Sequence, residues 1–187
     1  MLCRRAFRKV DVAVPNSLAV KSLLRERVDG LKQIRLIHPG VDPDRFRPTA
    51  APELRARYGI PAGCPVVFSM GRMVPRKGMD VLLRAFAEVL RSVPRAKLVL
   101  GGNGPELPML RDLAQSLCVS ERVSFIGRVP DSELPAHYSL ASVFALASRG
   151  GPRDVEGFGI VFLEAGACEV PVVGTRTGGD RKSTRLN

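Results

Sequence analysis

With 187 residues, 45% of them hydrophobic and 25% charged, the chain suits one well-filled soluble domain and part of a second, and no apolar run reaches the 18 residues of a membrane span. A formal net charge of +11 calls for an anionic partner: nucleotide phosphates, nucleic acid or a lipid surface. The 29 basic residues are spread along the chain, only 5% of residues are aromatic and Trp is absent, so nucleic acid is set aside as a partner.

The opening "MLCRRAFRKVDVAV" is basic but lacks the apolar core and small-residue cleavage site of a signal peptide. "VDVAVPNSLAVKSLLRERV" then predicts one strand and one helix, and "IRLIHPGVDPDRFRP" a strand, a Gly turn and a Pro-bounded exit. These first fifty residues hold too little apolar material for a core of their own. They are expected to be the trailing edge of a missing N-terminal domain, joined through "TAAPELRARYGIPAG" to the body of the chain.

From residue 60 the pattern alternates. "PVVFSMG" (65–71) predicts a buried strand ending in Gly, and "MDVLLRAFAEVLRSVP" (79–94) a helix with Leu82, Leu83, Phe86, Val89 and Leu90 at helical spacing, stopped by Pro94. "AKLVLGG" (96–102) is the next strand. "ELPMLRDLAQSLCV" (106–119) is a helix with Leu107, Leu110, Leu113 and Leu117 on one face and Pro108 tolerated in its first turn. "RVSFIG" (122–127) is a third strand, and "DSELPAHYSLA" (131–141) a short helix opened by two N-cap candidates. "SVFALAS" (142–148), a helix within 158–168 and "VPVVGT" (170–175) complete the series. Continuous apolar strands separated by helices predict an α/β domain: a doubly wound, Rossmann-like parallel sheet covered on both faces.

Four scattered cysteines form no C-x-x-C pair and only two histidines accompany them, so no zinc site is expected. Cys118 and Cys168 read as small core residues, and reduced cytosol fits all four.

In such sheets ligands bind outside the carboxyl ends of the strands. The unusual residues fall there: "GRMVPRKG" (71–78) with Gly71, Arg72 and Lys77, then "GGNGPE" (101–106) with Gly102, then "SRGGPRDVEGFG" (148–159). Within "DVEGFGIVFLEA" (154–165), Gly157 and Gly159 allow close backbone approach, and the amides of Phe158, Gly159 and Ile160 would open a helix as an anion seat. Glu156 would repel a phosphate, so it should face a neutral, hydroxyl-rich group. Glu164 lies about one turn further on and suits a second pair of hydroxyls. One ligand satisfies both acids: a sugar, then a diphosphate, then a ribose. Arg72 and Lys77 would clamp the diphosphate, Arg as a planar fork and Lys as a point charge. "GGNGPE" has Leu107 where a dinucleotide fingerprint needs its third Gly, and "RKGMD" is not a P-loop. A glycosidase pair of carboxylates would leave the anion seat without purpose.

Through "IHPGVDPDRFRP", "GRMVPRKGMDVLLRAF", "LVLGGNGPE", "VSFIGRVPDSELPAHYSLASVFALAS" and "EGFGIVFLEAGA", in this order and spacing, the chain resembles the C-terminal, donor-binding half of GT-B retaining glycosyltransferases, the large family 4 or group 1. The resemblance implies that residues 51–179 bind a nucleotide-diphospho-sugar such as GDP-mannose or a UDP-sugar. It implies that Arg72 and Lys77 hold the diphosphate, Glu156 the transferred sugar and Glu164 the ribose, while Arg128 and Val129 border the base. It further implies hexosyl transfer with retention by front-face substitution, without a metal cofactor, to a glycan or lipid-linked acceptor; the net charge of +11 adds the inner face of the plasma membrane to a cytoplasmic location. Residues 1–50 would then be a remnant of the acceptor domain, whose polar groups facing the cleft would be missing. Residues 180–187, "DRKSTRLN", depart from the family pattern and read as a truncated end. Because closing a dry two-domain cleft is part of the catalysis, this fragment is expected to bind donor with little turnover. Glu169 stands where the family has a Gly, at a turn position suited to positive φ. Two other classes compete: a basic peripheral membrane-binding module without catalysis, and a Rossmann oxidoreductase.

Overall fold

In a computed structural model, which describes residues 10–150 and 157–176, all five apolar runs form strands. They are β1 (Val66–Met70), β2 (Lys97–Gly101), β3 (Val123–Gly127), β4 (Val143–Leu146) and β5 (Val172–Gly174). All pairings are parallel and the order across the sheet is β3-β2-β1-β4-β5. The central strands read as unbroken apolar runs because both faces are covered: Val66, Phe68, Leu98, Val99 and Leu100 are wholly buried. The chain winds outward from β1 to β3 and then returns to lay β4 on the other side of β1. In doubly wound sheets such a reversal is where a crevice opens, here between the carboxyl ends of β1 and β4.

Six helices accompany the sheet among the described residues: α1 (Leu18–Arg27), α2 (Pro52–Arg57), α3 (Met79–Ser92), α4 (Leu107–Ser116), α5 (Leu134–Ser139) and α6 (Ile160–Ala167). α3 buries Met79, Leu82, Leu83 and Phe86, whereas Val89 is exposed. At 3.6 residues per turn Val89 falls on the margin of the stripe, roughly 80° from its centre. α4 buries Leu110 and Ala114 and leaves Leu107, Leu113 and Leu117 half-buried on the flanks. The two N-cap candidates before α5 do not cap it: Asp131–Glu133 form a separate 3₁₀ turn, and Glu133 takes the cap position without a side-chain hydrogen bond. In the first fifty residues the strand expected before α1 is reduced to one parallel bridge, Ala13 with Ile34. Ser17 caps α1, its hydroxyl accepting from the Val20 amide at 3.2 Å.

A ring cluster fills the core beneath the crevice. Phe68, Tyr138, Phe144 and Phe162 meet edge to face, with Tyr138 5.6 Å from Phe68 and 5.4 Å from Phe144. Phe46, from the junction segment, joins them edge-on to Tyr138 at 6.1 Å. His137 is buried beside it. Its Nδ1–H donates to the Glu133 carbonyl at 2.7 Å, so in the neutral ring Nε2 accepts from the Tyr58 hydroxyl at 2.8 Å.

α4 and α6 end in the same way, with one residue in the left-handed region and paired return bonds. After α6 the Glu169 amide reaches the Gly166 carbonyl at 2.9 Å and the Val170 amide reaches Ala165 at 3.0 Å. Glu169 has φ 59, as its place in the turn leads one to expect. The corresponding residue after α4 is Cys118, with φ 57. Cys118 is therefore exposed on a helix cap rather than part of the core, while Cys168 is buried as expected. Burial pushes the Cys168 thiol above its usual pKa. Replacing Glu169 by glycine is expected to stabilise the chain by about 0.5–1 kcal/mol and raise the melting temperature by about 2 °C. Thermal unfolding checks this, and an unchanged or lower midpoint would refute the strain at this cap.

Candidate active site

The tips of β1, β2 and β3 are laced together through backbone groups. The Gly71 amide donates to the Gly101 carbonyl at 3.1 Å, Gly102 to Gly127 at 2.6 Å, and Met73 to Asn103 at 2.9 Å. Gly102 has φ 113, and a Cβ there would lie 2.0 Å from the Gly71 carbonyl oxygen. The β1 tip then runs through a 3₁₀ turn, Pro75–Lys77, into α3. Lys77 is half-buried, and its Cδ and Cε pass 3.6 Å from the position a Cβ on Gly71 would take. The bare backbone at Gly71 thus makes room for the lysine stem.

The tip of β4 closes on the same turn. A Cβ on Gly78 would meet the Ala147 carbonyl oxygen at 1.9 Å, and the Arg149 amide donates to the Arg76 carbonyl at 2.6 Å. The Arg149 guanidinium pairs with Asp80 at 2.5 Å. Arg149 had no distinguishing signal in the sequence, yet it fastens the two loops flanking the crevice. On the far side Val129 is buried, its Cγ2 3.3 Å from a Cβ position on Gly101, and Arg128 is exposed beside it. Arg72 is exposed at the β1 tip. Close contacts therefore connect Lys77 and Gly102 to Gly71, and Val129 to Gly101, with Arg72 and Arg128 exposed beside them.

The loop after β4 leads to α6. Glu156 lies outside the described residues. Gly159 caps the helix in a left-handed conformation, φ 77, and the helix begins at Ile160. The Phe162 amide turns back to the Gly159 carbonyl at 3.0 Å. No described residue accepts from the amides of Gly159, Ile160 or Val161. Phe158 precedes the helix, its ring buried and 5.6 Å from the ring of His38. Gly157 sits against Asn16, whose amide nitrogen lies 3.3 Å from the Cβ position. The His38 Nδ1–H donates to the Asn16 carbonyl at 3.1 Å. Two polar residues of the N-terminal segment thus reach the segment that leads into α6. The pairing of Asn16 with Gly157 spans 141 positions, and no local pattern announces it.

Glu164 is half-buried, one turn into α6. Its Oε2 accepts from the Tyr138 hydroxyl at 2.5 Å. Burial first, and the Glu164 carboxylate second, push the Tyr138 phenol well above its usual pKa, so it remains a donor. Among the described residues no group of three or more His, Cys, Asp or Glu is placed to hold a metal ion. No helix among them is long and apolar enough to cross a membrane.

The described residues thus bring Lys77, Arg72 and Arg128 to the strand tips and set the Glu164 carboxylate against Tyr138. The family described as "Glycosyl transferases group 1" matches residues 50–185. A GDP-mannose-dependent alpha-(1-6)-phosphatidylinositol monomannoside mannosyltransferase of Mycolicibacterium smegmatis is 44% identical over 94% of this chain and 47% of its own length. Its Mycobacterium tuberculosis counterpart is 43% identical over 98% and 49%. Among solved structures, Anabaena Alr3699/HepE in complex with UDP and glucose superposes with a TM-score of 0.80 at 26% identity, covering 95% of this chain and 47% of that one. Sucrose-phosphate synthase from Thermosynechococcus elongatus superposes with a TM-score of 0.78 at 31% identity, covering 96% and 44%. The chain spans about half the length of the curated relatives it matches.

Proposed function

Since the chain belongs to the group 1 glycosyl transferases, we propose that it is the donor-binding half of an enzyme that moves mannose from GDP-mannose to a lipid-linked glycan acceptor. The observation that carries this reading is the meeting of the β1, β2 and β4 tips at the sheet reversal, with Lys77 along Gly71 on the turn after β1 and α6 following β4 in the chain. The names of the mannosyltransferase relatives support the nucleotide and the acceptor class.

In this reading Lys77 and Arg72 hold the donor diphosphate and stabilise the charge that builds on it as the glycosidic bond breaks. The amides of Gly159, Ile160 and Val161 supply hydrogen bonds to the same oxygens. Glu164 accepts from the ribose hydroxyls, Val129 and Arg128 border the base, and Glu156 contacts the sugar. Transfer proceeds with retention, and the cations take the place of a metal. Asn16 and His38 approach the sugar end from the N-terminal segment. The net charge of +11 supports work at an anionic lipid surface on the cytoplasmic side.

Calorimetric titration with GDP, UDP and their sugar conjugates tests the assignment. Binding of GDP in preference to UDP, weakened by Glu164→Ala, is the expected result. Failure to bind any of them, together with salt-sensitive sedimentation on anionic vesicles, would favour the alternative of a basic membrane-binding module.

A further inference from the structure

We propose that Tyr138 is the positioning residue that sets Glu164 for ribose recognition. The inference rests on the reading of Glu164 as the carboxylate that holds the ribose. Tyr138 belongs to α5 and Glu164 to α6, 26 positions apart, and the 2.5 Å bond between them joins a wholly buried phenol to a half-buried acid. The phenol cannot swing away. Its ring is wedged edge to face by Phe46 at 6.1 Å, Phe68 at 5.6 Å and Phe144 at 5.4 Å.

A carboxylate offers two oxygens and about four lone-pair directions. Tyr138 takes Oε2 on the inner side, which leaves Oε1 to accept from a vicinal diol approaching from the crevice. A glutamate side chain free to change rotamer would lose up to about 1.5–2 kcal/mol of side-chain entropy when a ligand fixed it. Here the loss is already made in the folded protein. Phe46 is set by its own segment: the Asp42 carboxylate accepts from the Asp44 amide at 2.9 Å, and Arg45 donates to the Asp131 carbonyl at 2.9 Å. The seat of the Tyr138 ring therefore includes the junction segment of the chain, and the phenol links that segment to the proposed nucleotide site.

The test titrates GDP and 2′,3′-dideoxy-GDP into the wild type, Tyr138→Phe, Glu164→Ala and the double variant. Tyr138→Phe keeps the ring and removes only the donor. Expected is a loss of about tenfold in GDP affinity, the order of the Glu164 side-chain entropy that binding would then have to remove. Dideoxy-GDP should be little affected, and Tyr138→Phe should add nothing in the Glu164→Ala background. If Glu164→Ala leaves the preference for GDP over its dideoxy form intact, the ribose reading of Glu164 falls and this proposal with it. If Glu164→Ala removes that preference but Tyr138→Phe keeps it, or weakens both nucleotides alike, Tyr138 is a core residue only and the proposal is overturned while the reading of Glu164 stands. A measurement on the wild type guards against a variant that does not fold. The chain has two tyrosines, so the Cζ resonance of Tyr138 is separable by NMR. It should move on adding GDP and stay on adding the dideoxy form; a resonance that ignores both overturns the proposal.

Discussion

Gly102→Ala is expected to destabilise the chain by about 3–5 kcal/mol and to lower its melting temperature by about 10 °C. Two penalties coincide at this position. With φ 113 the backbone occupies a region that residues with a Cβ rarely enter, and the added methyl would lie 2.0 Å from the Gly71 carbonyl oxygen. Neither can be relieved by a rotamer, because the obstacle is backbone held by the 3.1 Å bond from Gly71 to Gly101. Relief requires the β1 and β2 tips to part, and Lys77 lies over Gly71. Loss of GDP affinity should accompany the loss of stability. Circular-dichroism melting and calorimetry on one preparation decide the matter. A variant that melts with the wild type would show that the two tips are not in such close approach.

Lys77→Ala is expected to weaken GDP binding by about 30-fold, the order of one charge-assisted bond to a phosphate, with a change in stability of under about 1 kcal/mol. The lysine sits on a 3₁₀ turn at the mouth of the crevice, half-buried, with its stem along bare glycine backbone. A cation placed so interacts through less water than one on an open surface. The loss should be confined to ligands that carry a diphosphate. Titration with guanosine supplies the control: equal weakening for guanosine and GDP would mean that Lys77 supports the fold and does not meet the phosphates.

The strands and long helices were legible because parallel strands covered on both faces must be apolar throughout, and helices on one face must repeat every three or four residues. "KLVLG" and "MDVLLRAF" carry those signals locally. The glycine-specific turns were partly legible too, since Glu169 at φ 59 occupies a position whose place after a helix already suggested a left-handed residue. Boundaries were less so. The start of α6 fell at Ile160 because Gly159 adopts the left-handed cap, and Cys118 left the core because its helix ended at Ser116, three residues earlier than the apolar pattern suggested.

By itself the sequence determined the class of fold, the edge of the sheet where the glycine-rich loops gather and the residue types found there. Each follows from chemistry repeated at short range: period, burial and the glycine-rich endings of strands. Only the tertiary structure decided who touches whom: Tyr138 on Glu164, Asn16 against Gly157, Arg149 across two loops and Phe46 inside the ring cluster. Those partners are brought together by the winding of the sheet across 26 to 141 positions, and a phenol or an asparagine carries no mark in the chain of what it will face once the layers close.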